Sequence, residues 1–189
     1  FGFGILLAVI IGTLLDPVLL INTNKNMEAL AAGHDFPYII SSVFRDTFGM
    51  YGGTGSTICL LIATIIFSRM KSSRQITGLS IVPGLFNINE PVIYGYPIVF
   101  NLPLLIHFVL TPVIALLFDY FCTAIGFMNR TVVMVPWTTP PLINGFLATG
   151  GDWRAIIVQL ITIVFGIFFY LPFMKISERV MLHQAEEEN

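Results

Sequence analysis

Pro83-Gly84-Leu85-Phe86-Asn87-Ile88-Asn89-Glu90-Pro91-Val92 places one carboxylate and two carboxamides inside an apolar run, Ile76 to Phe100, that carries no other charge. A carboxylate deep in a bilayer costs about 2.5–3.5 kcal/mol on insertion scales, so a membrane protein keeps one only where it faces a polar cavity or a partner. Proline two residues beyond Asn89 and glycine before the amides argue against a straight crossing helix. The stretch reads as a re-entrant hairpin with Asn87–Pro91 at its tip. Eleven residues, Ile76 to Phe86, precede the tip, and at 1.5 Å per helical residue they cover about 16 Å, half the hydrocarbon thickness. Glu90 is therefore expected near the midplane.

Outward from that tip the chain has the composition of a bilayer protein. Of 189 residues 56% are hydrophobic and 11% charged, with a mean hydropathy of +0.85; an average soluble domain has about 25% charged residues. Gly49–Ser68 and Ala155–Met174 are uncharged runs long enough to cross. Arg69, Lys71 and Arg74 follow the first, and Lys175 and Arg179 the second. The positive-inside rule places both ends in the cytoplasm, the C-terminus included. A further crossing is expected within Leu102–Phe121. A second hairpin is expected from Thr131 to Thr149, around Pro136-Trp137-Thr138-Thr139-Pro140-Pro141, entering from the opposite side. Two non-helical tips at membrane depth are tolerated where protein encloses them or water fills the space between them, the plan of alternating-access transporters.

Toward the N-terminus, Phe1–Ile21 is expected to cross with a break near Asp16-Pro17, and the Asn-rich Asn22–Asp35 to form a loop. Phe36–Phe48 has apolar residues at helical spacing, which fits a surface amphipathic helix or a partly buried bundle helix equally. Cys59 and Cys122, 63 residues apart within apolar stretches, read as buried thiols. A net charge of −2 without basic clusters excludes nucleic acid as a partner. The chain opens on Phe1-Gly2-Phe3 without a signal-peptide pattern and reads as the second half of a longer protein. Residues 1–182 form one transport domain on this reading, and 183–189 a flexible cytoplasmic tail.

Glu90 has three readings: an acceptor for a sugar hydroxyl, a proton or cation coupling site, or an acceptor for backbone N–H groups freed at the turn. Asn87 and Asn89 suit the mixed donors and acceptors of a pyranose, or cap the hairpin arms. Trp137, with Thr138 beside it, offers a flat face to a sugar ring or an anchor at the membrane interface. Gly52, Gly53 and Gly55 lack the lysine that a phosphate loop needs, so they favour close packing or backbone approach to a ligand. His34 and His107 read as ordinary satisfied histidines. No metal-ligating pattern and no cofactor are implied.

The words Pro83–Gly95, Pro136–Pro141 and Thr149-Gly150-Gly151-Asp152, with Gly52-Gly53-Thr54-Gly55, together resemble the second half of enzyme IIC, the membrane component of lactose-family phosphotransferase permeases. The resemblance implies an all-α membrane transport domain with two hairpins, moving against a dimerisation domain in a homodimer. It implies import of a β-linked disaccharide of the cellobiose or diacetylchitobiose type, with Glu90 and Trp137 in the sugar pocket. Phosphorylation is then carried out by a phosphocysteine on a separate cytoplasmic enzyme IIB, so Cys59 and Cys122 are not that cysteine, and the location is the bacterial inner membrane. The family's Gly-Ile-His-Gly word reads Gly4-Ile5-Leu6-Leu7 here. Leu6 in place of that histidine removes a group able to polarise the reacting hydroxyl. The rival readings are an ion-coupled sugar carrier and a non-transporting fragment or impaired paralogue.

Overall fold

A computed structural model describes residues 2–187 apart from Pro97, Val99 and Phe100, with the side chains of residues 2–11, 181 and 183–187 outside the description. Among the described residues regular structure is all helical. The elements are α1 (Gly2–Ala32), α2 (Ser42–Phe48), α3 (Thr57–Phe67), α4 (Lys71–Leu85), α5 (Glu90–Gly95), α6 (Leu102–Ala124), α7 (Ile143–Ala148) and α8 (Trp153–Glu187).

The scaffold is the pair α6 and α8. Their 23-residue and 28-residue apolar stretches, Leu102–Ala124 and Trp153–Val180, are long enough to cross a membrane, and they contain both spans expected there. The two helices pack on each other, and α3 packs on α8 and α4. Gly166 of α8 permits the close approach of α3, since a Cβ there would lie 2.6 Å from the Cys59 sulfur. Cys59 and Cys122 are both buried and unpaired.

Three expectations are corrected. The Asn-rich stretch is helical: α1 runs through Pro17 and on to Ala32. Its polar residues are spent on tertiary contacts. Asn26, fully buried, donates to the carbonyls of Tyr38 at 2.7 Å and Thr131 at 3.0 Å and accepts from the Tyr38 N–H. Asn22 donates to the Ile40 carbonyl, and the Thr23 hydroxyl lies 2.8 Å from that of Ser42. Asp16 pairs with Arg45 of α2.

The uncharged run Gly49–Ser68 is not one span. Only Thr57–Phe67 is helical, about 16 Å at 1.5 Å per residue and half the hydrocarbon depth. Gly52, Gly53 and Gly55 hold φ of +76°, +94° and +82°, and no α-helix passes through such a sequence of left-handed residues. The third correction concerns Phe36–Phe48, where helix is confined to Ser42–Phe48, capped by the Ser41 hydroxyl accepting from the Phe44 N–H at 3.1 Å. Phe44 and Phe48 are buried, so the bundle-helix reading is the one realised.

The chain does break where the decisive stretch places a tip. α4 ends at Leu85, Asn87 adopts φ +62°, and α5 begins at Glu90. The Thr131–Thr149 segment has a different build: it is irregular to Leu142 and has one short helix, α7. α8 takes in residues 183–187 as helical backbone, while Glu188 and Asn189 of the expected tail, like the Leu6 side chain and part of Ile76–Phe100, lie outside the description.

Candidate functional site

The words singled out in the sequence converge through one side chain. Asn87, almost fully buried, accepts from the Gly52 N–H at 2.9 Å and donates to the carbonyls of Trp137 at 2.6 Å and Thr139 at 3.1 Å. One carboxamide thus joins the glycine loop, the α4–α5 turn and the Pro-Trp-Thr segment. Its positive φ is one that asparagine accepts more readily than most residues. Asn89, also buried, adds a second tie by donating to the Thr54 carbonyl at 2.6 Å.

The glycines serve this convergence. A Cβ on Gly53 would sit 2.7 Å from the Asn87 carbonyl oxygen and 2.7 Å from Asn89 Cγ. A Cβ on Gly55 would strike the Phe108 ring at 2.2 Å, and its carbonyl accepts the Tyr170 hydroxyl at 2.6 Å. Gly52 is closed against Ile58 in the same way. The backbone approach expected at these glycines is made by the protein's own chain.

Glu90 opens α5 and is exposed, with no hydrogen bond or ion pair among the described residues. Trp137 is 61% exposed while its own carbonyl is held by Asn87, so the backbone is fixed and the indole displayed. Thr138 beside it is half-buried. Trp137 borders a cavity of about 510 Å³ between α2 and the 134–144 segment, together with Ser42, Asp46, Thr47, Met134 and Asn144. That volume is in the range of small-ligand pockets. Glu90 is not among its lining residues, so the structure brings Asn87, Asn89, the glycine loop and the Trp137 backbone together and leaves Glu90 on a separate exposed edge of the same turn. His34 is exposed; His107 is buried, its ring stacked on Phe173 and its Nδ1 3.2 Å from the Pro103 carbonyl.

Two anchoring residues escaped the sequence reading. Asp119 of α6, fully buried, accepts from the Tyr51 and Thr162 hydroxyls, each at 2.8 Å, fixing the residue before Gly52 to α6 and α8. Gln159 of α8, equally buried, accepts from the Leu142 N–H at 2.8 Å and donates to Thr47 O and Asn144 Oδ1. Gly145 leaves it room, since a Cβ there would lie 2.4 Å from the Gln159 oxygen. Both are single polar residues in apolar runs, where only long-range partners reveal their use. Asp152 has a third structural duty, accepting from the N–H groups of Asn129 and Arg154 at the start of α8.

The family profile described as "Phosphotransferase system, EIIC" matches residues 2–112, which include the glycine loop and the Asn87 turn. The chain belongs to that family. This EIIC chain is 43% identical over 135 residues to the cellobiose-specific EIIC component of Lactococcus lactis subsp. lactis (strain IL1403), an alignment covering 71% of the chain and 27% of that protein. It is 35% identical over 189 residues to the oligo-beta-mannoside-specific EIIC component of Bacillus subtilis (strain 168), covering 98% of the chain and 42% of the relative. Among solved structures it is similar to the transporter ChbC, the IIC component of the N,N'-diacetylchitobiose-specific phosphotransferase system. There the TM-score is 0.89 at 37% identity, over 95% of this chain and 42% of that one. The EIIC chain therefore spans less than half the length of these relatives, and it is an all-helical membrane protein of their kind.

Proposed function

We propose that this EIIC chain is the transport region of a permease that carries a β-linked disaccharide across the bacterial membrane and presents its 6-hydroxyl to the phosphocysteine of a cytoplasmic IIB protein. The observation that carries this reading is the Asn87 junction, and its depth follows from helix length and charge. The cationic turn at Arg69–Lys71 joins α3 to α4, which run for 11 and 15 residues to the junction, about 16 and 22 Å at 1.5 Å per residue. With that turn in the cytoplasmic headgroup layer, the three joined segments lie near the midplane, where transporters of this general plan bind substrate. The cellobiose and diacetylchitobiose specificities named for its relatives support the sugar class.

In this reading the residues divide their labour. Glu90, whose side chain has no partner among the described residues, accepts sugar hydroxyls in charge-assisted bonds. Trp137 stacks on the C–H face of a ring, with Thr138 adding a hydroxyl. Asn89 retains its carboxamide oxygen for a sugar, while the Asn87 carboxamide is committed to backbone and holds the others in place. Gly52, Gly53 and Gly55 allow the segments to meet. The Phe86–Asn89 turn and the Thr131–Leu142 segment are the two re-entrant tips, residues 1–182 move as one domain with a cytoplasmic tail after it, and a homodimer forms through the remainder of the permease.

The test is uptake by the whole permease reconstituted with its IIB protein. Wild type should accumulate phosphorylated disaccharide, and Glu90→Gln should bind no sugar by calorimetry while remaining folded. Unchanged affinity in that variant, or gradient-driven uptake of unmodified sugar without IIB, would refute the proposal.

A further inference from the structure

At the opposite end of the α3–α4 pair from the Asn87 junction lies a groove of about 650 Å³ that the transport reading leaves unused. Arg69, Arg74, Lys175 and Arg179 line it, with Glu178 as the single carboxylate among the described lining residues. All four cations are exposed and none is ion-paired among the described residues. Glu178 is occupied by accepting the Ser68 hydroxyl, and that same hydroxyl oxygen accepts from the Met70 N–H at 3.2 Å. The floor of the groove is thus built, with the turn pinned to α8, while the four cations above it outnumber the one carboxylate among the described lining residues.

The position of the groove decides what suits it. Arg69 is the first charge after the uncharged Gly49–Ser68 run, and Lys175 the first after Ala155–Met174, so the cations stand where apolar helices leave the hydrocarbon. Ile66, Phe67 and Leu182 complete the lining, Ile66 and Leu182 being more than half exposed. Cations along one wall and apolar side chains along the other match a molecule with an anionic head and an acyl tail. An acidic protein surface would use the charges and leave the apolar wall uncovered. We infer that this groove is a binding site for the headgroup of an anionic phospholipid, with Arg74 and Arg179 available for bidentate contact to its phosphate. The assignment does not depend on which sugar is carried.

The test uses the whole permease in a non-ionic detergent, titrated with phosphatidylglycerol or phosphatidylcholine, with bound lipid counted by native mass spectrometry. Phosphatidylglycerol should be retained preferentially, and its affinity should fall about fivefold for each cation removed along the series R69Q, R74Q, K175Q, R179Q. R69K keeps the charge and should keep most of the lipid, while R74K and R179K, which lose the bidentate fork, should fall between wild type and the glutamine variants, a grading that separates lost binding from lost fold. Should the neutralised protein not be monodisperse, wild type decides, because headgroup binding must weaken as salt is raised. Equal retention of both lipids, retention unaltered by neutralisation, insensitivity to salt, or displacement by inorganic phosphate would each overturn the assignment. So would a neutralised protein that keeps its lipid and loses an acidic protein partner.

Discussion

The Asn87 side chain donates to the Trp137 carbonyl at 2.6 Å, across 50 residues of chain, so the residue that shapes the α4–α5 turn also fixes the backbone from which the indole projects. The orientation of the exposed indole is thus coupled to a residue whose two amide hydrogens are both spent on backbone carbonyls.

Asn87→Ala would orphan the Gly52 N–H and two carbonyls at a buried junction, at about 1–3 kcal/mol for each group left unpaired. The expected outcome is a fall of several degrees in the melting temperature of the purified permease, together with weakened sugar binding. Asn87→Gly, which relieves the positive φ, should lose the same ties and recover little stability. A melting temperature unchanged in both variants would show that the junction is not a mechanical one.

Trp137→Ala should separate binding from stability. The ring is 61% exposed, so its removal should leave thermal stability within about a degree and weaken disaccharide binding by up to about tenfold, the scale of an aromatic stacking contact. Trp137→Phe should restore most of the affinity. Calorimetric titration of the three proteins is the measurement.

Glycine-to-alanine substitutions should have opposite signs at two positions. At Gly53, φ is +94° and the new methyl would lie 2.7 Å from the Asn87 carbonyl oxygen, so Gly53→Ala should destabilise strongly. At Gly78, on α4, nothing lies within 4 Å, and Gly78→Ala should stabilise by about 0.5–1 kcal/mol through helix propensity. Thermal unfolding of both variants checks the pair.

The apolar helices α6 and α8 and the break at Asn87 were legible because each leaves a local mark. Lipid enforces the length of α6 and α8, and an Asn-Ile-Asn-Glu-Pro word cannot be hidden in a straight span. What the sequence could not disclose depends on distant partners or on backbone angles. Asn22–Asp35 reads as a loop until Asn26 is seen bonded to Thr131, 105 residues away. Gly49–Ser68 reads as a span because hydropathy does not register a positive φ at Gly52, Gly53 and Gly55. Gln159 passes for an unimportant residue in an apolar helix because its acceptor Thr47 is 112 positions removed. Of the expected site, the junction residues are brought together, and Glu90 stands apart from the cavity that Trp137 borders.

Asp119 permits a double-mutant cycle. Asp119→Leu strands the buried Tyr51 hydroxyl and leaves that of Thr162 only the Val158 carbonyl, and Tyr51→Phe strands one carboxylate oxygen. The double variant should therefore be less damaged than the sum of the singles by about 0.5–3 kcal/mol. Asp119→Asn, which still offers each hydroxyl a partner, should be the mildest of the set. Additive losses in melting temperature would mean that the two side chains do not act together.

The tight seam at Gly166 has a practical corollary. With the Cys59 sulfur lodged where α3 meets α8, a thiol-reactive dye can reach that atom only when the two helices part. The rate at which the Cys59-containing peptide of the permease is labelled, read by peptide mass spectrometry with Cys59→Ser as the blank, is then a clock for separation of α3 from α8, with or without added sugar.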